Sequence, residues 1–184
     1  MDIGNSPNRH FSMDYQSGAM SFEIFSNGKK LICNCGYYQN KNVKLKQLSK
    51  TTATHSTLII DNSSSCKFKK IDRKNFILDN DLKILKKKII FEKNYWKIQA
   101  SHNGYQNKYN SIHEREIQFH VDQNKFIGID KIINKKTNLN IRFDIRFHLE
   151  PSIKLMKTQN NKTILIELDD EGWKFTCDKF DINI

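Results

Sequence analysis

A chain of 184 residues, 38 % hydrophobic and 28 % charged, is long enough to bury a core of its own without disulfides. Its formal charge of +11 comes mostly from lysine; the only arginines are Arg9, Arg73, Arg115, Arg142 and Arg146, so the forked donors that read bases and phosphates are scarce and specific nucleic-acid binding is disfavoured. No apolar run approaches the roughly 20 residues that span a bilayer, residues 1–7 lack the basic and apolar regions of a signal peptide, and Cys33, Cys35, Cys66 and Cys177 fit neither a disulfide framework nor a paired zinc module.

In chain order, the period-2 alternation predicts strands over residues 20–26 and 30–34, joined at Asn27-Gly28. Residues 40–50 read as a short basic helix, and 55–61 as a strand that follows the polar Thr51-Thr-Ala-Thr54. Residues 63–88 are polar and lysine-rich, with Phe76-Ile-Leu78, Leu82, Ile84 and Leu85 inside, and are expected to form a poorly packed strand pair. Further strands are predicted over 88–91, 95–100, 114–120 and 125–133. The clearest covers 141–149, where Ile141, Phe143, Ile145, Phe147 and Leu149 alternate with Arg142, Asp144, Arg146 and His148, and Pro151 ends it. Strands over 152–157, 163–168 and 173–177 complete the set. Turn residues at 103–104, 123–124, 138–140, 160–161 and 171–172 separate them, and few windows keep a 3.6-residue apolar period. The expected fold is an all-β antiparallel sandwich.

The chemistry-bearing side chains fall into small sets. His55 stands where a polar loop becomes an apolar run, as a metal ligand or as a histidine bonded to nearby backbone, Thr52 or Thr54. His102 with Tyr105, and His113 with Arg115, read either as polar groups facing a cleft, where an arginine fork would meet a sugar carboxylate, or as cross-strand pairs. Arg142, Arg146 and His148 share one strand face, with Asp144 and Glu150 able to relieve their repulsion. Trp96 and Trp173 suit either sugar stacking or core packing.

Several blocks then appear in a fixed order: Met20-Ser-Phe-Glu-Ile-Phe25, Gly28-Lys-Lys-Leu-Ile-Cys-Asn-Cys-Gly36, Thr51-Thr-Ala-Thr-His-Ser-Thr-Leu-Ile-Ile-Asp61, Asn94 to Tyr105, Ile112-His-Glu-Arg115, Gly128-Ile-Asp130, Phe147-His-Leu-Glu-Pro151 and Gly172-Trp-Lys-Phe175. Together they resemble the C-terminal β-domain of heparinase II/III-type polysaccharide lyases. The resemblance implies one domain over 1–184, truncated at both ends, whose principal catalytic residues lie on a helical toroid elsewhere. It also implies β-elimination on a glycosaminoglycan or other uronate polysaccharide in a bacterial periplasm or cell envelope. On this reading His102, Arg115 and His148 are the cleft-facing catalytic candidates, and Arg115, Arg142, Arg146 and Tyr105 bind substrate. The family's zinc positions fall at Gln16, Asn34 and His55, of which only the last is a strong zinc ligand, so zinc is expected to be held poorly if at all. A non-catalytic carbohydrate-binding or interaction module and a basic nucleic-acid-binding protein are the rival readings.

Overall fold

The computed structural model describes residues 1–38, 42–134 and 140–184. Its strands are β1 (Ile24–Ser26), β2 (Lys29–Cys33), β3 (Leu58–Ile60), β4 (Phe68–Lys70), β5 (Phe76–Leu78), β6 (Ile84–Phe91), β7 (Tyr95–His102), β8 (Ser111–His120), β9 (Lys125–Asn134), β10 (Phe143–Ile145), β11 (His148–Leu149), β12 (Lys154–Lys157), β13 (Thr163–Leu168) and β14 (Glu171–Thr176). Two short helices, α1 (Val43–Ser49) and α2 (Gln106–Tyr109), accompany them, and the architecture is all-β and antiparallel, of the sandwich class. No helix among the described residues is long and apolar enough to cross a membrane. The chain divides into two compact units, one of residues 1–22 with 34–148 and the other of 23–33 with 149–184.

The larger unit is built on a four-stranded meander, β6-β7-β8-β9. Its register sets rows of side chains across the sheet: Trp96 lies opposite Phe119 and Phe119 opposite Phe126, while Ala100 lies opposite Arg115 and Arg115 opposite Asp130. The aromatic row is packed, with Phe119 and Phe126 stacked at 4.3 Å and Trp96 tilted against Phe119 at 5.6 Å. Leu58 and Ile60 of β3 form a core with Tyr105, which precedes α2, and Ile132, Ile141, Phe143 and Ile145 pack against it. The apolar face expected of residues 141–149 is therefore present here, and Phe147 packs edge-on against Phe22. The strand itself is interrupted at Arg146 and Phe147, between β10 and β11.

The lysine-rich stretch after β3 is better packed than its composition suggests. β4 and β5 pair as expected, but Leu78 and Leu82 are fully buried in a cluster with Ala19 and Cys66, flanked by Tyr15, Phe68 and Ile84. An irregular N-terminal segment covers this cluster, and its short polar side chains do the work of a missing strand: Asn5, Ser6 and Ser12 accept the backbone N–H groups of Ile84, Leu82 and Leu78. That segment was expected to become a strand at Met20, yet pairing begins only at Ile24. Of the helix expected at 40–50, residues 40 and 41 lie outside the described residues; the rest forms α1, capped by the Asn42 carboxamide on the N–H groups of Lys44 and Leu45. Lys50 follows it, buried, with its ammonium on the carbonyls of Met13 and Tyr15 and 5.1 Å above the Phe68 ring, and burial pulls its pKa down to about 8.

The smaller unit holds the β1–β2 hairpin and the β12-β13-β14 sheet. Asn27 and Gly28 both have positive φ, as a two-residue hairpin turn requires, and Asn161 is left-handed where the sequence placed a turn. The β13–β14 turn falls instead at Asp169-Asp170, with Asp169 left-handed, so that Glu171 and Gly172 lie inside β14. Alternation holds along β13, where Ile164, Ile166 and Leu168 are buried and Leu165 and Glu167 are exposed. Of the turn expected at 138–140, residues 138 and 139 lie outside the described residues.

A truncation pair tests the packing of the lysine-rich stretch. Leu82→Ala is expected to lower unfolding free energy by about 2–5 kcal/mol, as cavity-forming core truncations do, whereas the half-exposed Leu85→Ala loses under ~1 kcal/mol. Equal, small losses in urea titrations of the two variants would show that this stretch contributes no core.

Candidate functional site

The largest fully buried side chain is Arg115, in the middle of β8. Its Nε and Nη2 donate to the two carboxylate oxygens of Asp130 on β9, at 2.8 and 3.0 Å, and its Nη1 donates to the carbonyls of Met20 and Ser56, at 3.0 and 2.9 Å. The Phe22 ring lies 5.5 Å from the guanidinium carbon. All three nitrogens of the fork thus donate to protein acceptors. A desolvated guanidinium is tolerable only under such full pairing.

Asp130 also accepts a 2.6 Å hydrogen bond from His113, and this contact begins a chain whose proton positions follow from its ends. Gly104 donates its N–H to His102 Nδ1 at 3.0 Å, so His102 carries its proton on Nε2. That nitrogen lies 3.3 Å from His113 Nδ1, which must accept, leaving the His113 proton on Nε2, directed at Asp130. Both imidazoles are neutral with fixed tautomers. Burial, with His113 and Arg115 nearby, holds His102 well below the ordinary histidine range; burial likewise lowers His113, although its bond to Asp130 opposes this. Burial alone would raise Asp130, but Arg115 and His113 outweigh it and hold the carboxyl near 2. Only glycine fits at 104, since a Cβ there would stand 2.7 Å from the Ser65 carbonyl and 3.0 Å from His102 Nδ1.

His102, Arg115 and Tyr105, expected to face a cleft, are all buried in this chain. All three are inside: the segments that carry Met20 and Ser56 cover this end of the sheet, and the Tyr105 hydroxyl donates to the Leu58 carbonyl. In this cluster both ring nitrogens of each imidazole and both carboxylate oxygens of Asp130 are committed to bonds inside the protein. The sequence signal for it was the register between residues 115 and 130, visible only once β8 and β9 are paired.

His148 is half-buried, and its Nε2 donates to the Ala53 carbonyl at 3.0 Å. Arg146 sits beside it, 3.3 Å from the Asn62 carboxamide oxygen and 3.7 Å from Asp144, and Arg142 is exposed. The structure therefore brings Arg146 and His148 together at the surface and leaves Arg142 a solvated cation. Trp96 is half-buried in the aromatic row, and Trp173 turns its indole N–H to Glu171.

The positions that the resemblance assigns to zinc are engaged otherwise. Gln16 turns its amide nitrogen to the carbonyls of Gly36 and Ser49, at 2.7 and 3.1 Å, and Asn34 Oδ1 accepts the Ser56 N–H at 2.8 Å. His55 donates from Nδ1 to the Thr51 carbonyl, with its ring pressed on Gly18, where a Cβ would stand 2.7 Å from Cδ2. Among the described residues no three His, Cys, Asp or Glu side chains are grouped to hold a metal ion. The residues present do not fit a resident zinc ion.

Sequence reasoning also passed over a groove of about 630 Å³ between the turn after β3 and α2, lined by Ser63, Ser64, Lys67, Asn107, Lys108 and Tyr109 among others. Those residues carried no recognisable motif, and their proximity depends on the turn that brings residues 63–67 under α2.

The neutral histidines set the pH response. In the unfolded chain they take up protons below about 6.5, whereas in the fold they resist protonation, so stability is full above that pH and falls as pH drops below it. His55, also lowered by burial, acts in the same direction, and Asp130 adds a further loss between about 3.8 and 2. Urea midpoints are expected to be level from pH 7 to 7.5, to fall steadily from 6.5 to 4.5, and to fall less in His102→Gln. A midpoint unchanged over that acid range would contradict the neutral, buried assignment.

Among solved structures the chain resembles heparinase III, the BT4657 gene product with methylated lysines, at 17 % identity and a TM-score of 0.60. The match covers 84 % of this chain and 21 % of that one, so this chain spans about a fifth of that protein's length, and what the likeness shows is the fold. Comparison with curated protein sequences gave no match. The family model of the heparinase II/III-like C-terminal domain matches residues 1–184, and the chain accordingly belongs to that family.

Proposed function

We propose that this chain is the β-domain of a heparinase II/III-type polysaccharide lyase and that it holds an acidic polysaccharide while catalytic residues on a helical toroid, carried by another segment, act on it. The observation that carries this reading is the family match along the whole chain, set beside a histidine–arginine cluster that is closed to substrate. The reaction is β-elimination: a base takes the proton from the carbon beside a uronate carboxylate, a cation or donor neutralises that carboxylate, and the bond to the 4-linked sugar breaks to leave an unsaturated end. This chain's part is binding and charge. Its +11 favours a polyanion in general, and Arg146 with the exposed Arg142 offers forked donors suited to carboxylates. The same closed cluster supports a second reading, a carbohydrate-binding module without a catalytic partner. For either, a cell-envelope location is what the family suggests.

Activity and binding assays on the purified chain test this. It is expected to bind uronate oligomers, less tightly as salt rises, and to release no unsaturated uronate by absorbance; Arg146→Ala is expected to weaken binding about threefold to tenfold. Unsaturated product from the chain alone, lost in His148→Ala, would place the chemistry in this domain. Equal affinity for a short DNA and a uronate oligomer, untouched by Arg146→Ala, would reduce the positive charge to lysine bias.

A further inference from the structure

The groove beneath α2 is concave, and one of its lysines, Lys108, is held in place by side-chain contacts. Asp61 and Asn62 are both left-handed and fold the chain back, so that Ser63 bridges to Ile60 and the serines that follow form one wall. Gly104 is pressed on Ser65, which pins the floor, and α2 forms the opposite wall, ended by the left-handed Asn110. Lys108 donates to Ser63 Oγ at 2.7 Å and lies 4.9 Å from the Tyr109 ring centroid. Ser63 and the Tyr109 hydroxyl are 2.7 Å apart, and Tyr109 is 3.3 Å from Asp61 Oδ2. Tyr109 donates to Asp61, so Ser63 donates to Tyr109 and accepts from Lys108, whose ammonium also bonds the Tyr109 side chain. Lys67 stands among the same lining residues, and its backbone N–H is tied at 2.6 Å to the Asn80 carboxamide oxygen, which leaves that amide's NH₂ as a donor.

The geometry points to this groove as a binding subsite for a carboxylated sugar. Lys67 and Lys108 are among its lining residues and no Asp or Glu is, and with the single Asp61 carboxylate behind Tyr109 the balance of charge favours an anion. The remainder is serine hydroxyl, carboxamide and tyrosine, groups that exchange hydrogen bonds with sugar hydroxyls and offer a ring for its C–H face. A volume of about 630 Å³ lies in the range of small-ligand sites. A phosphate is disfavoured, because the lining has no arginine fork and α2, at four residues, has no N-terminus of use to an anion. The inference rests on the reading of the chain as an acidic-polysaccharide domain and names where one uronate residue sits.

The test is a titration of the full chain with a uronate disaccharide and its neutral counterpart, followed by backbone amide NMR, in wild type, Lys67→Ala, Lys108→Ala and Lys86→Ala. The expected result is shifts at 63–67 and 104–109 with the uronate, affinity reduced about fivefold in each of the first two variants, and no change in Lys86→Ala, whose lysine lies on β6 outside the groove. Uronate binding that shifts residues around Arg142 and Arg146 and ignores Lys67→Ala and Lys108→Ala would overturn the groove and leave the proposed function standing. Equal binding of the neutral sugar would overturn the acidic class. Absence of uronate binding in wild type would overturn both. Since Lys67 and Lys108 are exposed, their removal leaves the fold in place.

Discussion

Arg115 needs four acceptors at once, and the larger unit is arranged to supply them. Leaving a buried guanidinium short of a partner costs about 3–5 kcal/mol, a large share of a small domain's stability. Asp130 meets it only if β8 and β9 hold their register, since a slip of one residue would turn the carboxylate to the opposite face. Met20 and Ser56 meet it only if the N-terminal segment and the approach to β3 cross the sheet at that level. Met20 itself is buried with a φ of 58°, a conformation that costs about 1–3 kcal/mol for such a residue. Its carbonyl on Arg115 and its N–H on the Asp2 carbonyl hold it there.

From Asp130 the constraint passes through His113 and His102 to the Gly104 amide, and Gly104 forms part of the groove wall. A closed polar cluster inside and an open polar groove outside are therefore joined by one hydrogen-bond chain. Neutral imidazoles suit the inner role, because a second buried cation beside Arg115 would be repelled, whereas each ring as found both donates and accepts. The outer groove keeps solvated lysines that a ligand can reach.

The N-terminal segment shows a second way of satisfying backbone groups. It runs beside β5 and β6 without a ladder, yet serine and asparagine oxygens take the N–H groups a strand would have taken. Ser17, Thr52 and Ser65 extend the same device into the interior, where their hydroxyls bond one another and the Cys66 amide. Small hydroxyl side chains in loops thus become core in this fold, which is why its composition reads as more polar than its interior is.

Alternation along residues 95–100, 114–120, 125–133 and 163–168 placed strands within β7, β8, β9 and β13 and set the all-β class, because a period of 2 depends on the chain alone. Asn27-Gly28 likewise set its own hairpin, since both residues accept positive φ without help from the rest of the chain. The ordered blocks from Met20 to Phe175 carried the family, as the match along the whole chain bears out. What tertiary structure alone decided was which polar residues lie inside. His102, Tyr105 and Arg115 look in sequence like any strand-borne polar groups, and only the segments laid over them separate a buried relay from a cleft. The groove was equally hidden, since Ser63, Lys67 and Lys108 become neighbours through a turn and a helix whose meeting no local pattern records. Local periodicity specifies elements; burial is a property of what covers them, and that depends on residues far away in the chain.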